Sequence, residues 1–87
     1  MSDKITFSEE LRVETEVFRS DGLFEGELTR QYGLKADMYV GDTFVSSCTV
    51  RDVSADRTLV ERLAAVIARE RISPARIYDY IEEELSK

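Results

Sequence analysis

Arg51, Asp52, Ser54, Asp56 and Arg57 crowd into VRDVSADRTLVERL, residues 50–63. Such a group could hold a small charged ligand or a divalent ion, since carboxylates supply hard oxygen donors and guanidinium groups pair with anions. It could also be the joint between a strand and a helix. The first amides of a helix have no partner inside it and recruit Ser and Asp side chains as acceptors. The helix dipole favours an acidic group at the same place. This second reading makes Ser54 or Asp56 the cap and leaves Arg51, Asp52 and Arg57 to ordinary surface ion pairs. It is the simpler of the two.

Other chemistry-bearing residues are sparse. Asp79, Glu82 and Glu83 stand at i, i+3 and i+4 and share a helix face. They could face a hard cation, but no further oxygen-donor loop is nearby, and a solvated acidic face is the plainer reading. The acidic run 82–84 is also unfavourable at a helix C-terminus, and Lys87 offsets little of it. A basic partner would relieve that cost; fraying is the simpler outcome. Cys48 is the only cysteine, and there is no histidine. An internal disulfide and a Cys/His zinc site within one chain are therefore excluded. With no base to activate it, Cys48 reads as a small buried hydrophobe. The glycines are scattered at 22, 26, 33 and 41 and form no phosphate loop. No catalytic, cofactor-binding or metal-ligating residue is assigned, and no cofactor is expected.

The elements that carry these residues follow from periodicity. Leu11, Val13 and Val17 alternate with Arg12, Glu14 and Glu16. That is the period of a half-buried strand, and Ile5 and Phe7 continue its parity upstream. Asp21-Gly22 marks a turn. Leu28, Tyr32, Leu34, Ala36, Met38 and Val40 then share one parity, which predicts a second strand over 28–40. Gly41-Asp42 suits a type II′ hairpin turn, and TFVSSCTVRDV, residues 43–53, is the third strand. Leu59, Val60, Leu63, Val66 and Ile67 form a helical stripe within a helix over 55–70. In ISPARI, Ser73 caps a second helix over 74–85 and Pro74 occupies its first turn. The same cap accounts for Ser73-Pro74 without a phosphorylation site. Ile77, Ile81 and Leu85 give its buried stripe, with Tyr78 beside it.

The expected fold is α+β, one domain over 1–87. It has two layers: an antiparallel three-stranded meander, or four-stranded with a short extra strand at the start, and two C-terminal helices on one face.

The register of the second hairpin bears on function. A strict two-residue turn pairs Val40 with Thr43 and Tyr39 with Phe44, leaving an apolar strip on the wet face that Phe18 could extend. A bulge or a longer loop would instead bring Phe44, Cys48 and Val50 to the helix side, because a one-residue shift moves the whole set across the sheet. Phe18, Tyr39 and Phe44 are therefore the candidate interface, since exposed apolar strips often mark partner surfaces.

Composition bounds the partners. The chain is 43% hydrophobic and 34% charged with a net charge of −6. No segment is a basic stripe. That disfavours nucleic acid, whose binding rests on Lys and Arg against phosphates, and it disfavours an anionic membrane surface. A helix-turn-helix reading fails on the same ground, because its second helix offers Arg76 and Lys87 against Asp79, Glu82, Glu83 and Glu84. The longest apolar run, Leu63–Ala68, is far short of a span. MSDKITFSEE lacks the apolar core of a secretion signal. With one lone cysteine, a cytoplasmic location is expected.

From Tyr32 onward the chain resembles a family of small bacterial proteins of unknown function. The likeness rests on YGL at 32–34, RDVSADR at 51–57, the helix at 59–67 and ISPARIYDYIEEEL at 72–85. It implies a β-meander followed by two helices and says nothing of substrate.

Two function classes remain. The first is a non-enzymatic protein–protein interaction or regulatory module, with an unknown protein partner or as a homodimer. The second is a small-ligand-binding protein or enzyme using the charged junction at 51–57.

Overall fold

The computed structural model describes residues 11–87. The elements are β1 (Leu11–Arg19), β2 (Gly22–Phe24), β3 (Glu27–Thr29), β4 (Tyr32–Val40), β5 (Thr43–Ser54), α1 (Arg57–Glu70), a 3-10 turn (Pro74–Arg76) and α2 (Ile77–Leu85). The expected continuation through Ile5 and Phe7, and any extra strand there, lies outside the described residues.

The α+β architecture is as expected. β1, β4 and β5 form an antiparallel sheet in that order, and β2 with β3 makes a separate two-stranded ribbon. One face of the sheet presents Val13, Leu34, Ala36 and Val50 to Val60, Leu63, Ala64 and Ile67 of α1 and to Ile77 and Ile81 of α2. These ten residues are the buried apolar core. On α1 they recur at i, i+3, i+4 and i+7, the spacing of one helix face. Thr15 sits on the same sheet face and donates its hydroxyl to the Ala64 carbonyl at 3.3 Å, so a polar side chain against the helix is satisfied.

The predicted strand 28–40 is divided. Leu28 belongs to β3, and β4 begins only at Tyr32. Phe24 pairs with Glu27 across Glu25-Gly26, both at positive φ (55° and 85°), the geometry of a type I′ turn. The expected turn at Asp21-Gly22 is thus the root of the additional β2–β3 hairpin, where the Ser20 amide donates to the Gln31 carbonyl at 2.9 Å.

The second hairpin combines the two expected registers. Val40 pairs with Thr43 and Tyr39 with Phe44 across Gly41 (φ 62°), as a two-residue turn requires. Val45 is then an extra residue, because Met38 pairs with Ser46. This bulge leaves Phe44 opposite Tyr39 while moving Cys48 and Val50 to the helix side. A second irregularity near the strand end sets Tyr32 opposite Ser54, with Asp52 at φ 53°. There Gly33 is packed closely: a Cβ on it would stand 3.0 Å from the Arg51 Cα and 3.0 Å from the Phe18 ring.

One burial expectation on α2, that for Leu85, comes out differently. Ile77 and Ile81 are buried, whereas Leu85 and Tyr78 are exposed. Leu85 stands in the last turn of α2, where helical spacing alone does not bury it.

Candidate functional site

The charged junction divides into two structural devices. Asp56 is the cap of α1: its carboxylate accepts the amides of Thr58 (3.0 Å) and Leu59 (3.3 Å). Ser54 stands one step earlier and accepts the Asp56 amide at 3.0 Å. Arg57 pairs with Glu61 at 2.9 Å. Ser73 plays the corresponding part for the 3-10 turn, accepting the Ala75 amide at 3.3 Å, with Pro74 buried behind it.

Arg51 and Asp52 turn the other way. Buried Ser20 donates its hydroxyl to Asp52 Oδ1 at 2.6 Å and accepts the Asp52 amide at 3.0 Å. Arg51 Nη2 donates to the Ser20 carbonyl at 2.7 Å. Gly22 makes room for this, since a Cβ there would lie 2.9 Å from Asp52 Oδ2. Arg19 pairs with Asp21 at 2.7 Å, and that hydrogen bond holds the Asp21 carboxyl below its ordinary range. Together these bonds clamp the root of the β2–β3 ribbon to β5. The cluster's charged groups are thus engaged within the chain.

What the clamp holds is an arm with an apolar surface. Leu23, Phe24 and Leu28 are 76%, 68% and 71% exposed. Leu23 pairs with Leu28 on one face of the ribbon, and Phe24 with Glu27. A two-stranded ribbon has no second layer to bury such side chains, and a hairpin alone is marginal in water. Burying each against a partner would contribute about 1.5–3 kcal/mol. Alternation places Leu28 on a buried strand face and gives no part to Leu23 and Phe24. The available signal was Glu25-Gly26 between Leu-Phe and Glu-Leu, a short turn flanked by two stubs of strand.

The sequence-predicted interface residues are not contiguous. Tyr39 and Phe44 meet edge to face with centroids 5.8 Å apart. Phe44 is 55% exposed, and the Arg12 guanidinium lies 4.5 Å from the Tyr39 ring centroid, covering one side of it. Phe18 pairs with Gly33, whereas Tyr39 pairs with Arg12. Six residues along a strand are about 20 Å, so Phe18 and the Tyr39–Phe44 pair occupy opposite ends of the face. Between them lie Glu16 opposite Lys35 and Glu14 opposite Asp37. Phe18 instead lies over Gly33, an aromatic covering a glycine across the strands.

The outer edge of β5 is a further candidate, because Thr43–Val50 carries no charge. It is blunted at two places. Val45 bulges, and the Tyr78 hydroxyl donates to the Thr49 carbonyl at 3.4 Å. Burial pushes the Cys48 thiol above its ordinary pKa, which keeps it protonated at neutral pH. Asp79, Glu82 and Glu83 line an open groove with Ser86. Among the described residues, no three His, Cys, Asp or Glu side chains are grouped to hold a metal ion, and no helix is long and apolar enough to cross a membrane.

Comparison with family models, with curated proteins and with solved structures finds no match to the chain.

Proposed function

We propose that the protein is a small, non-enzymatic interaction module of the cytoplasm, and that the β2–β3 arm is the element that meets its protein partner. The observation that carries this reading is the exposure of Leu23, Phe24 and Leu28 on a ribbon clamped at its root by Ser20, Arg51 and Asp52. Scattered single hydrophobics on a surface need no explanation, but Leu23 and Leu28 are paired on one face of a short ribbon, with Phe24 exposed on its other face. A clamped root keeps these side chains in one orientation, which lowers the ordering cost of binding. The Tyr39–Phe44 pair supports the reading less, because Arg12 already covers part of it. A net charge of −6 favours a protein partner over nucleic acid or an anionic membrane.

Photocrosslinking in the native cell tests this. A photoreactive residue replaces Phe24 in one variant and Phe44 in another. The expected result is a protein adduct from position 24 that disappears when Leu23 and Leu28 are changed to Ser. An adduct from position 44 alone would move the contact to the sheet face, and the arm reading would fail.

A further inference from the structure

We propose that the outer edge of β5 takes an extended basic segment of another protein, which adds a strand to the sheet and lies along the flank of α2. The surface is separate from the arm and rests on other residues.

β1 and β5 are the two edges of the sheet. β1 carries Arg12, Glu14, Glu16 and Arg19, and charged side chains discourage pairing at an edge. β5 carries none from Thr43 to Val50. Its bulge at Val45 comes early, and from Ser46 to Val50 the pairing with β4 is regular. The Tyr78 hydroxyl reaches the Thr49 carbonyl, so that carbonyl points away from β4. In an antiparallel strand the amide and carbonyl of one residue point the same way, and the direction alternates from residue to residue. Ser47 and Thr49 therefore aim their backbone groups out of the sheet, and both residues are exposed. The Tyr78 bond is 3.4 Å long, against about 2.7–2.8 Å for a well-formed O–H···O bond, so it yields readily to a backbone amide. The group that meets a row of edge amides and carbonyls is an extended backbone.

The flank of α2 says which side chains that strand brings. Tyr78, Glu82 and Leu85 stand at i, i+4 and i+7, one stripe beside buried Ile77 and Ile81. All three are exposed, and the bond from Tyr78 to Thr49 sets the stripe against the β5 edge. Asp79, Glu82 and Glu83 make no ion pair among the described residues. The groove they line with Ser86 has no basic residue. Lys87 is held by Glu84 at 3.0 Å, and Arg76 opens on the groove between α1 and α2. The C-terminal end of α2 adds a partial negative charge of its own. A strand with Lys or Arg among apolar residues on its helix side meets Glu82 and covers Tyr78 and Leu85. The matching edge of a second copy offers no such strand, because Thr43–Val50 is uncharged.

Amide exchange on the full chain tests this, with a short soluble peptide of alternating Lys and Val as the probe. The expected result at saturating peptide is exchange slowed about tenfold at the Ser47 and Thr49 amides. E82K, checked for native circular dichroism, should bind the peptide at least about tenfold more weakly. The wild type should lose as much against the same peptide with an N-methylated backbone, which keeps the charge and lacks the strand bonds. No binding of the Lys–Val peptide overturns the proposal, as does binding that leaves Ser47 and Thr49 exchange unchanged. Equal binding by a Glu–Val peptide or by the N-methylated one overturns it as well. Slowing at both amides with protein concentration alone gives the edge to a second copy and overturns the basic partner.

Discussion

Leu28 and Leu34 stand six positions apart on one parity of a single alternating stretch, yet Leu34 is fully buried and Leu28 is 71% exposed. The difference lies in what covers each strand. Leu34 is in β4, between β1 and β5, under both helices. Leu28 is in β3, whose only partner is β2. Alternation fixes which side of a strand a residue faces, while the reach of the second layer decides whether that side is dry. The body of the protein uses its apolar residues for folding, and the arm holds its own in reserve.

The comparison is broken most strongly at Leu34. Leu34→Ala leaves a cavity under the helices and should cost about 3 kcal/mol, read from the urea midpoint. Leu28→Ala should stay within about 0.5 kcal/mol in the same titration.

The clamp between body and arm comes next. Ser20→Ala removes both side-chain bonds to Asp52 and should cost about 1–2 kcal/mol. Hydrogen exchange should quicken at the β2–β3 amides before those of β4, because the root loosens while the core stays packed.

Much of the body was legible from periodicity and local chemistry. The caps at Asp56 and Ser73 follow from unsatisfied amides, and the turn at Gly41 from the backbone it requires. The sidedness of Val13, Leu34 and Ala36 follows from alternation. The arm was not legible, because Leu28 keeps the parity of Leu34 and nothing local says where a helix stops reaching. The bulge at Val45 is equally silent. It splits TFVSSCTV between two registers, leaving Phe44 outside and placing Val50 inside. In the sequence Asp52 looks like one of the surface charges, since its bond to Ser20 spans 32 residues and depends on the fold bringing β5 beside the end of β1.

A smaller effect, of opposite sign, lies in the body. Arg71 ends α1 at φ 55°, where glycine is the usual occupant. Arg71→Gly should raise stability by about 0.5–1 kcal/mol in a thermal melt.

The most direct measurement is the stability of the variant carrying Leu23→Ser, Phe24→Ser and Leu28→Ser together, by urea unfolding of dilute protein. The arm's apolar residues are held out for a partner, so the midpoint and slope should match the wild type within about 0.5 kcal/mol. A loss comparable to that of Leu34→Ala would mean that these side chains hold the fold together, and would contradict the division between body and arm.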